Sequence, residues 1–289
     1  MSKRISFCRL FLILLLSGLL LAVVCCLCST RRAKEEPLPP NVEVIVPAER
    51  NPCVIYLSPD GRKMMVTLEQ KRMLLDLTTG QELPFRSFHQ VAWLDSDLAY
   101  VTVNAHLDSV VVDTRDMVET PLERIPTEVE TFQAVLRRAG QVYVMDDFPK
   151  SGTTVIALAQ DFKSPSATSY VAFLSGEEAE KILEGIPYIE VLPLWASCPG
   201  KVFSHNGEMY GDCASYSDKY YVTGTLSIYT KDGELLTEVS RKGYDASPFG
   251  WAHDDSGVYF RFEWAAMWPP VRPPAPILKL LVPTPTPGP

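Results

Sequence analysis

The chain of 289 residues is 46% hydrophobic and 21% charged, with a formal net charge of −8. That length and apolar content suffice for a sizeable core and exclude a disordered or collagen-like chain. Six of the 27 basic residues fall within the first 34 positions and all 35 acidic residues follow them, so the remainder carries 21 basic against 35 acidic side chains, a net −14. Such a surface repels nucleic acid and anionic headgroups, and no basic stripe or aromatic platform offsets it, so nucleic acid is not an expected partner.

The first element is apolar. Leu10 to Cys28 carry no charge, and they lie between Lys3, Arg4 and Arg9 on one side and Arg31, Arg32 and Lys34 on the other. As a helix this run reaches about 28 Å, close to the hydrocarbon thickness of a bilayer. It is longer than a usual signal-peptide apolar region and lacks a clean small-x-small cleavage site, so residues 1–30 are expected to be a cytoplasmic tip and a retained transmembrane signal anchor. A lipoprotein signal is the alternative, but Val24 precedes Cys25 and Leu27 precedes Cys28, where small residues would be needed. Basic flanks of equal number leave orientation undecided by charge. The short stretch before the run points to a cytoplasmic N-terminus and an extracytoplasmic body.

Residues 31–40 (RRAKEEPLPP) form a charged, Pro-rich stalk. The body is expected to span 41–282, followed by the Pro-rich tail 283–289. From Asn41 onward, apolar runs of strand length alternate with turn clusters: Val42 to Val46, Val54 to Leu57, Lys63 to Leu68, Met73 to Leu77, Val91 to Leu94, Leu98 to Val103 and Ser109 to Asp113. The class is all-β. A pattern of run, acidic turn, run and a further run ending in Asp recurs: Ser58 to Gly61 leads to Asp76, and Asp95 to Asp97 leads to Asp113. Fainter copies follow at Arg137 to Gly140, Ser204 to Gly207 and His253 to Gly257. A strand-only unit recurring at roughly 40 residues points to a β-propeller-like body of degenerate four-stranded blades, since one blade cannot bury both its faces alone.

Val54 to Leu83 (VIYLSPDGRKMMVTLEQKRMLLDLTTGQEL) resembles a WD40-like blade of TolB-type propeller proteins, in which an S-P-D-G turn joins the first two strands. Phe249 to Phe262 (FGWAHDDSGVYFRF) is similar to a second such blade, with Trp251 and Asp255-Ser256-Gly257 in matching places. The resemblance implies protein–protein contact rather than catalysis.

Two segments depart from the strand rhythm. Ser175 to Glu178 opens a capping-box pattern, Ala179, Ile182 and Leu183 continue it, and Gly185 and Pro187 close it, so a short inserted helix is expected over Glu177 to Glu184. Thr127 to Gly140 also carries a helical pattern, but the repeat phase wants Phe132 to Leu136 as a first blade strand, and that reading is preferred. Near the C-terminus, Ile277 to Val282 has strand character and is a candidate to close the ring by pairing with Val42 to Val46; an ordinary edge strand is the alternative. In Val258 to Trp264, Val258, Phe260, Phe262 and Trp264 share one face, while Tyr259, Arg261 and Glu263 share the other.

No nucleotide, zincin, EF-hand or hydrolase motif occurs. No catalytic residue, cofactor or metal is assigned. His89, His106, His205 and His253 are scattered, and Cys198, His205 and Cys213 lack the spacing and the fourth ligand of a zinc site. Cys198 and Cys213 enclose turn formers and could bridge a hairpin; two separate buried thiols are the alternative. The pairs Asp95 with Asp97, Asp146 with Asp147, and Asp254 with Asp255 sit in expected turns, where Asp satisfies local backbone groups. Trp268, followed by Pro269 and Pro270, falls outside the strand alternation and is the candidate partner contact. The expected function is a membrane-anchored, non-catalytic binding or scaffolding module with a protein partner. The alternative is an envelope carbohydrate-active hydrolase with carboxylates at the propeller channel.

Overall fold

The computed structural model describes residues 37–103, 108–125, 128–146, 154–160, 169–191, 201–217, 222–265 and 274–283. The apolar run Leu10 to Cys28 lies outside these residues, and among the described residues no helix is long and apolar enough to cross a membrane. Internal contacts divide the chain into Met1–Pro40 and Asn41–Pro289. Among the described residues the second unit is mostly β-strand, with two short α-helices.

The leading strand β1 (Val42–Val46) does not pair with its sequence neighbours. Next comes a first blade, the antiparallel meander β2 (Cys53–Leu57), β3 (Lys63–Leu68), β4 (Lys71–Asp76) and β5 (Glu82–Pro84). The second blade is β6 (Gln90–Trp93), β7 (Leu98–Thr102), β8 (Ser109–Asp113) and β9 (Val118–Arg124). Helix α1 (Val129–Leu136) then precedes the third blade, made of β10 (Gln141–Asp146), β11 (Val155–Gln160) and β12 (Ser169–Leu174). Helix α2 (Gly176–Leu183) follows, and β13 (Ile189–Glu190) returns parallel to β10. The fourth blade is β14 (Lys201–Phe203), β15 (Met209–Ser217), β16 (Val222–Thr230) and β17 (Leu235–Lys242). In the fifth, β18 (Tyr244–Trp251), β19 (Gly257–Trp264) and β20 (Ile277–Leu281) are completed by β1, which pairs antiparallel with β20 through Val42 and Leu280. The chain therefore closes its last blade with its first strand, and the body is propeller-like.

Alternation along each strand fixes how the blades stack, because successive side chains leave opposite faces. On β19, Val258, Phe260 and Phe262 pack toward the fourth blade, while Tyr259 joins the first blade around Met64, Val66 and Leu68. On β3 itself, Met65 turns the other way to meet Val91, Ala99 and Val101 of the second blade. Tyr100 and Val111 of the second blade then pack with Tyr143, Ile156 and Leu158 of the third. These two blades are also joined edge to edge, since β9 pairs in parallel with β12 to give one eight-stranded sheet. A cluster between two halves of one sheet requires that sheet to curl back on itself.

The far face of the third blade is covered by the helices. Phe132 and Leu136 of α1 and Ala179, Ile182 and Leu183 of α2 bury Val142, Ala157, Ala159 and Ala172. The α2 capping box forms as expected: the Glu178 backbone N–H donates to the Ser175 hydroxyl, and the Ser175 N–H donates to the Glu178 carboxylate. The preferred strand over Phe132 to Leu136 is corrected to helix. Phe132 and Leu136 stand one helical turn apart, and both are buried on the same stripe. Arg137 to Gly140 is accordingly the exit of α1 into β10 rather than a turn between blade strands.

Gly224 is required where the fourth and fifth blades meet most closely. A Cβ there would lie 2.5 Å from the Ala246 nitrogen and 2.6 Å from the Tyr244 oxygen. Gly224→Ala should therefore lower stability by about 1–3 kcal/mol in chemical denaturation, through overpacking that cannot be relieved by a side-chain rotation. Gly176→Ala, at the start of α2 with open space around it, should be neutral or slightly stabilising.

The closing strand gives a second measurement. Ile277, Leu278 and Leu280 are fully buried, and each contributes about 1.5–3 kcal/mol against a typical net stability of about 5–15 kcal/mol. Truncation before Pro276 should abolish the cooperative thermal transition, whereas removal of residues 284–289 should leave the melting temperature unchanged.

Candidate binding face of the fourth blade

Four blade turns share one hydrogen-bond plan. The Ser58 hydroxyl donates to Asp60 Oδ1 at 2.8 Å and accepts from the Lys63 N–H at 2.9 Å. In the fourth blade the Ser204 hydroxyl donates to Asn206 Oδ1 at 2.8 Å and accepts from the Met209 N–H at 3.0 Å. The bond common to all four is a backbone one: the N–H groups of Ser58, Leu94, Ser204 and Ala252 donate across the turn at 2.8, 2.9, 2.9 and 2.9 Å to the oxygens of Lys63, Leu98, Met209 and Gly257. Ser58, Leu94, Ser204 and Ala252 are thus equivalent positions. The residues before them, Leu57, Trp93, Phe203 and Trp251, are equivalent too.

At two of these positions the side chain docks on the preceding blade. The Trp93 indole N–H donates to the Tyr56 oxygen of the first blade at 3.3 Å, and that of Trp251 donates to the Val202 oxygen of the fourth at 2.8 Å. Both acceptors lie two residues before a turn-opening serine, so the same contact is made twice. Phe203 occupies this position in the fourth blade. Its preceding blade, however, has spent that face on α1 and α2, and Phe203 is 65% exposed.

The rest of the face continues from Phe203. Register places Phe203 opposite Tyr210, Tyr210 opposite Tyr229 and Tyr229 opposite Leu235, a row crossing all four strands. Phe203 and Tyr210 have ring centroids 5.9 Å apart, and Tyr210 and Tyr229 stack at 5.3 Å. Lys201 Nζ sits 4.3 Å from the centre of the Tyr210 ring. Met209 and Cys213 of β15 pack toward the fifth blade, so alternation brings Tyr216, 74% exposed, onto the same side as Tyr210. Thr225 and Ser240 bond to each other at 2.8 Å across this side of β16 and β17. Among the described residues no buried cluster joins this face to the third blade. It is an exposed aromatic strip bordered by hydroxyls, of the kind that marks interaction surfaces.

The residues singled out from sequence lie elsewhere. Trp268 and Cys198 are outside the described residues, so the Cys198–Cys213 bridge has only its second member in view, and Cys213 is half-buried toward the fifth blade. His205 joins three turns: its backbone N–H and its Nδ1 lie 2.8 and 2.9 Å from Asp255 Oδ1, and its Nε2 lies 3.1 Å from the Pro59 oxygen. Among the described residues no cluster of three metal-ligating side chains is present.

Two of the acidic pairs, Asp95 with Asp97 and Asp254 with Asp255, lie in turns; of the third, Asp146 ends strand β10 opposite Val155 rather than in a turn, and Asp147 is outside the described residues. Asp95 Oδ1 accepts from the N–H groups of Asp97 and Leu98, each at 2.7 Å, and Asp97 pairs with Lys63. Burial pushes the Asp254 carboxyl up, but hydrogen bonds from the Ser256 hydroxyl and N–H outweigh it and hold the group below its ordinary value. A cleft of about 190 Å³ is lined by Asp113, Asp116, Arg115 and Gln160. There the Arg115 guanidinium holds Asp113 below the usual carboxylate range.

No family model matches the chain, and no curated protein does. Among solved structures it is similar to Kluyveromyces lactis Hsv2, at 10% identity, over 73% of this chain and 59% of that one, with a TM-score of 0.26. The chain therefore spans less than two thirds of that protein's length. A DUF4221 family member from Bacteroides vulgatus is similar at 8% identity, over 83% of this chain and 97% of that one, with a TM-score of 0.31. The β-propeller domain of Cps50 (Swd1) from Myceliophthora thermophila is similar at 13% identity, over 79% and 83%, with a TM-score of 0.28. The propeller-like character of the body rests on its own sheet order and closing strand.

The equivalence of Phe203 with Trp251 makes opposite forecasts for two truncations. Trp251→Ala removes a ring that is 2% exposed, and should cost about 3–5 kcal/mol. Phe203→Ala should change stability by no more than about 0.5 kcal/mol, as read by denaturant unfolding of both variants.

Proposed function

We propose that the chain is a tethered, non-catalytic binding module, held at a membrane through Leu10 to Cys28 with its body extracytoplasmic, and that the exposed face of the fourth blade contacts a partner protein. The observation that carries this reading is Phe203: it stands where Trp93 and Trp251 grip a neighbouring blade, and among the described residues it has no blade to grip. The fitting partner is a protein that supplies the missing cover, an apolar β surface with backbone carbonyls at its margin. The body's net −14 favours a partner with a cationic rim, since charge complementarity speeds encounter and suppresses wrong pairings. The turn carboxylates, already committed to backbone and interblade bonds, give the hydrolase reading no comparable support.

Site-specific photo-crosslinking in cells tests it. A photoreactive residue at position 203 or 216 should give one discrete heteromeric adduct. The same residue at Val118, which is 54% exposed on the second blade, should not. Fractionation of those cells should place the full-length chain in membranes. Adducts of twice the chain's mass would instead assign the face to a second copy, and equal labelling at all three positions would remove the site.

A further inference from the structure

A cleft of about 590 Å³ opens at the end of the first blade opposite the Ser58 turn, where β3 reverses into β4. Its volume is within the range of small-ligand sites, roughly 300–1,000 Å³. Cys53, Thr67, Lys71, Arg72 and Phe85 are part of its lining, and no carboxylate is. In a body of net −14 such a lining is unusual.

The nearest acids are occupied. Glu82 takes both terminal nitrogens of Arg50, and the Arg50 Nε lies 3.5 Å from Glu69. Hydrogen bonding from Arg50 holds the Glu82 carboxyl below its ordinary value. Among the described residues neither Lys71 nor Arg72 forms an ion pair. Arg72 is nevertheless fixed in place: one terminal nitrogen donates to the Thr67 hydroxyl, the other donates to the Phe88 oxygen at 3.1 Å, and the guanidinium carbon stands 4.4 Å above the Phe88 ring. A guanidinium has five N–H donors in a rigid fork, so donors remain on a group whose orientation is already set. Preorganised donors of this kind bind an anion without the entropic cost of ordering a free side chain.

Register pairs Cys53 with Thr67 and Thr67 with Arg72, and the Phe85 N–H donates to the Arg72 oxygen, so these four residues share one face of the blade, and Val54 and Met73 add apolar lining. We propose that the cleft binds a small amphipathic anion, its carboxylate or phosphate held by the remaining N–H donors of Arg72, with Lys71 at the exposed hairpin end adding positive charge, and its apolar part against Phe85. Burial of the apolar part supplies affinity, and the two cations supply selection by charge.

Cys53 lies in the cleft and reports its occupancy. The full-length protein in non-ionic detergent is alkylated with the neutral reagent N-ethylmaleimide, and modification of the Cys53 peptide is followed by mass spectrometry. Benzoate and phenyl phosphate are the probes, with benzyl alcohol as the uncharged control. At least one anion, at up to about 10 mM, should slow Cys53 modification by about fivefold or more, and benzyl alcohol should not. Protection by phenyl phosphate alone assigns a phosphate ligand, and protection by benzoate alone a carboxylate. Lys71→Met should weaken the protection, measured against that variant's own alkylation rate without probe, and Arg72→Met should abolish it. The proposal is overturned if neither anion protects, if benzyl alcohol protects equally, or if protection persists in the Lys71→Met/Arg72→Met double variant.

Discussion

A β-sheet whose strands are apolar on both faces must be covered on both, and this one requirement organises the body. On β3, β7, β8, β11 and β19, consecutive residues go to different cores, so no blade can satisfy its own strands. Stacking in the order fourth, fifth, first, second, third follows from that demand. The closing pair of β1 with β20 then ties the beginning of the body into the fifth blade, an interior blade of the stack rather than one of its ends.

The two terminal faces of the stack are treated differently, and side-chain size shows how. On β11, Ile156 and Leu158 interlock with the second blade, while Ala157 and Ala159 face the helices. Small residues leave room for a helix to approach, and the bulk that fills the space comes from Phe132, Leu136 and Ile182 instead. The fourth blade has no such arrangement. Its outer strip carries aromatic rings in register but keeps Phe203 and Tyr216 in water, with Asp212, Ala214 and Thr225 rather than large aliphatic side chains among them.

Much of this was legible in the sequence where local and tertiary requirements coincide. The alternation Val258 to Trp264, the S-P-D-G turn and the Ser175 capping box each specify their own geometry within a few residues, and each is found in the structure. The segment 127–140 was misread because two rules competed there. The repeat demanded a strand, while the spacing of Phe132 and Leu136 favoured a helix, and the helix prevailed because the third blade needed a cover that no further blade supplied. The fourth-blade face was not legible, although the Ser204 to Gly207 turn was. Exposure of Phe203 depends on what the preceding blade does with its far side, and that lies in contacts with α1 and α2 distant in sequence.

Charge illustrates the same dependence on placement. Thirty-five acidic residues invite a search for catalytic carboxylates, yet those in the blade turns are used locally. Asp60 is held by Ser58, Asp95 caps the backbone of its own turn, and Asp255 accepts from His205 and Asn206 of the neighbouring blade. A carboxylate whose oxygens already accept from local donors has little capacity left to engage a substrate. The same logic runs in reverse at the other end of the first blade. There Arg50 satisfies Glu69 and Glu82 together, so the acids closest to the large cleft do not neutralise Lys71 and Arg72. Local pairing, rather than net charge, decides which groups stay available: one bidentate arginine at the rim is what leaves a cationic lining inside an acidic body.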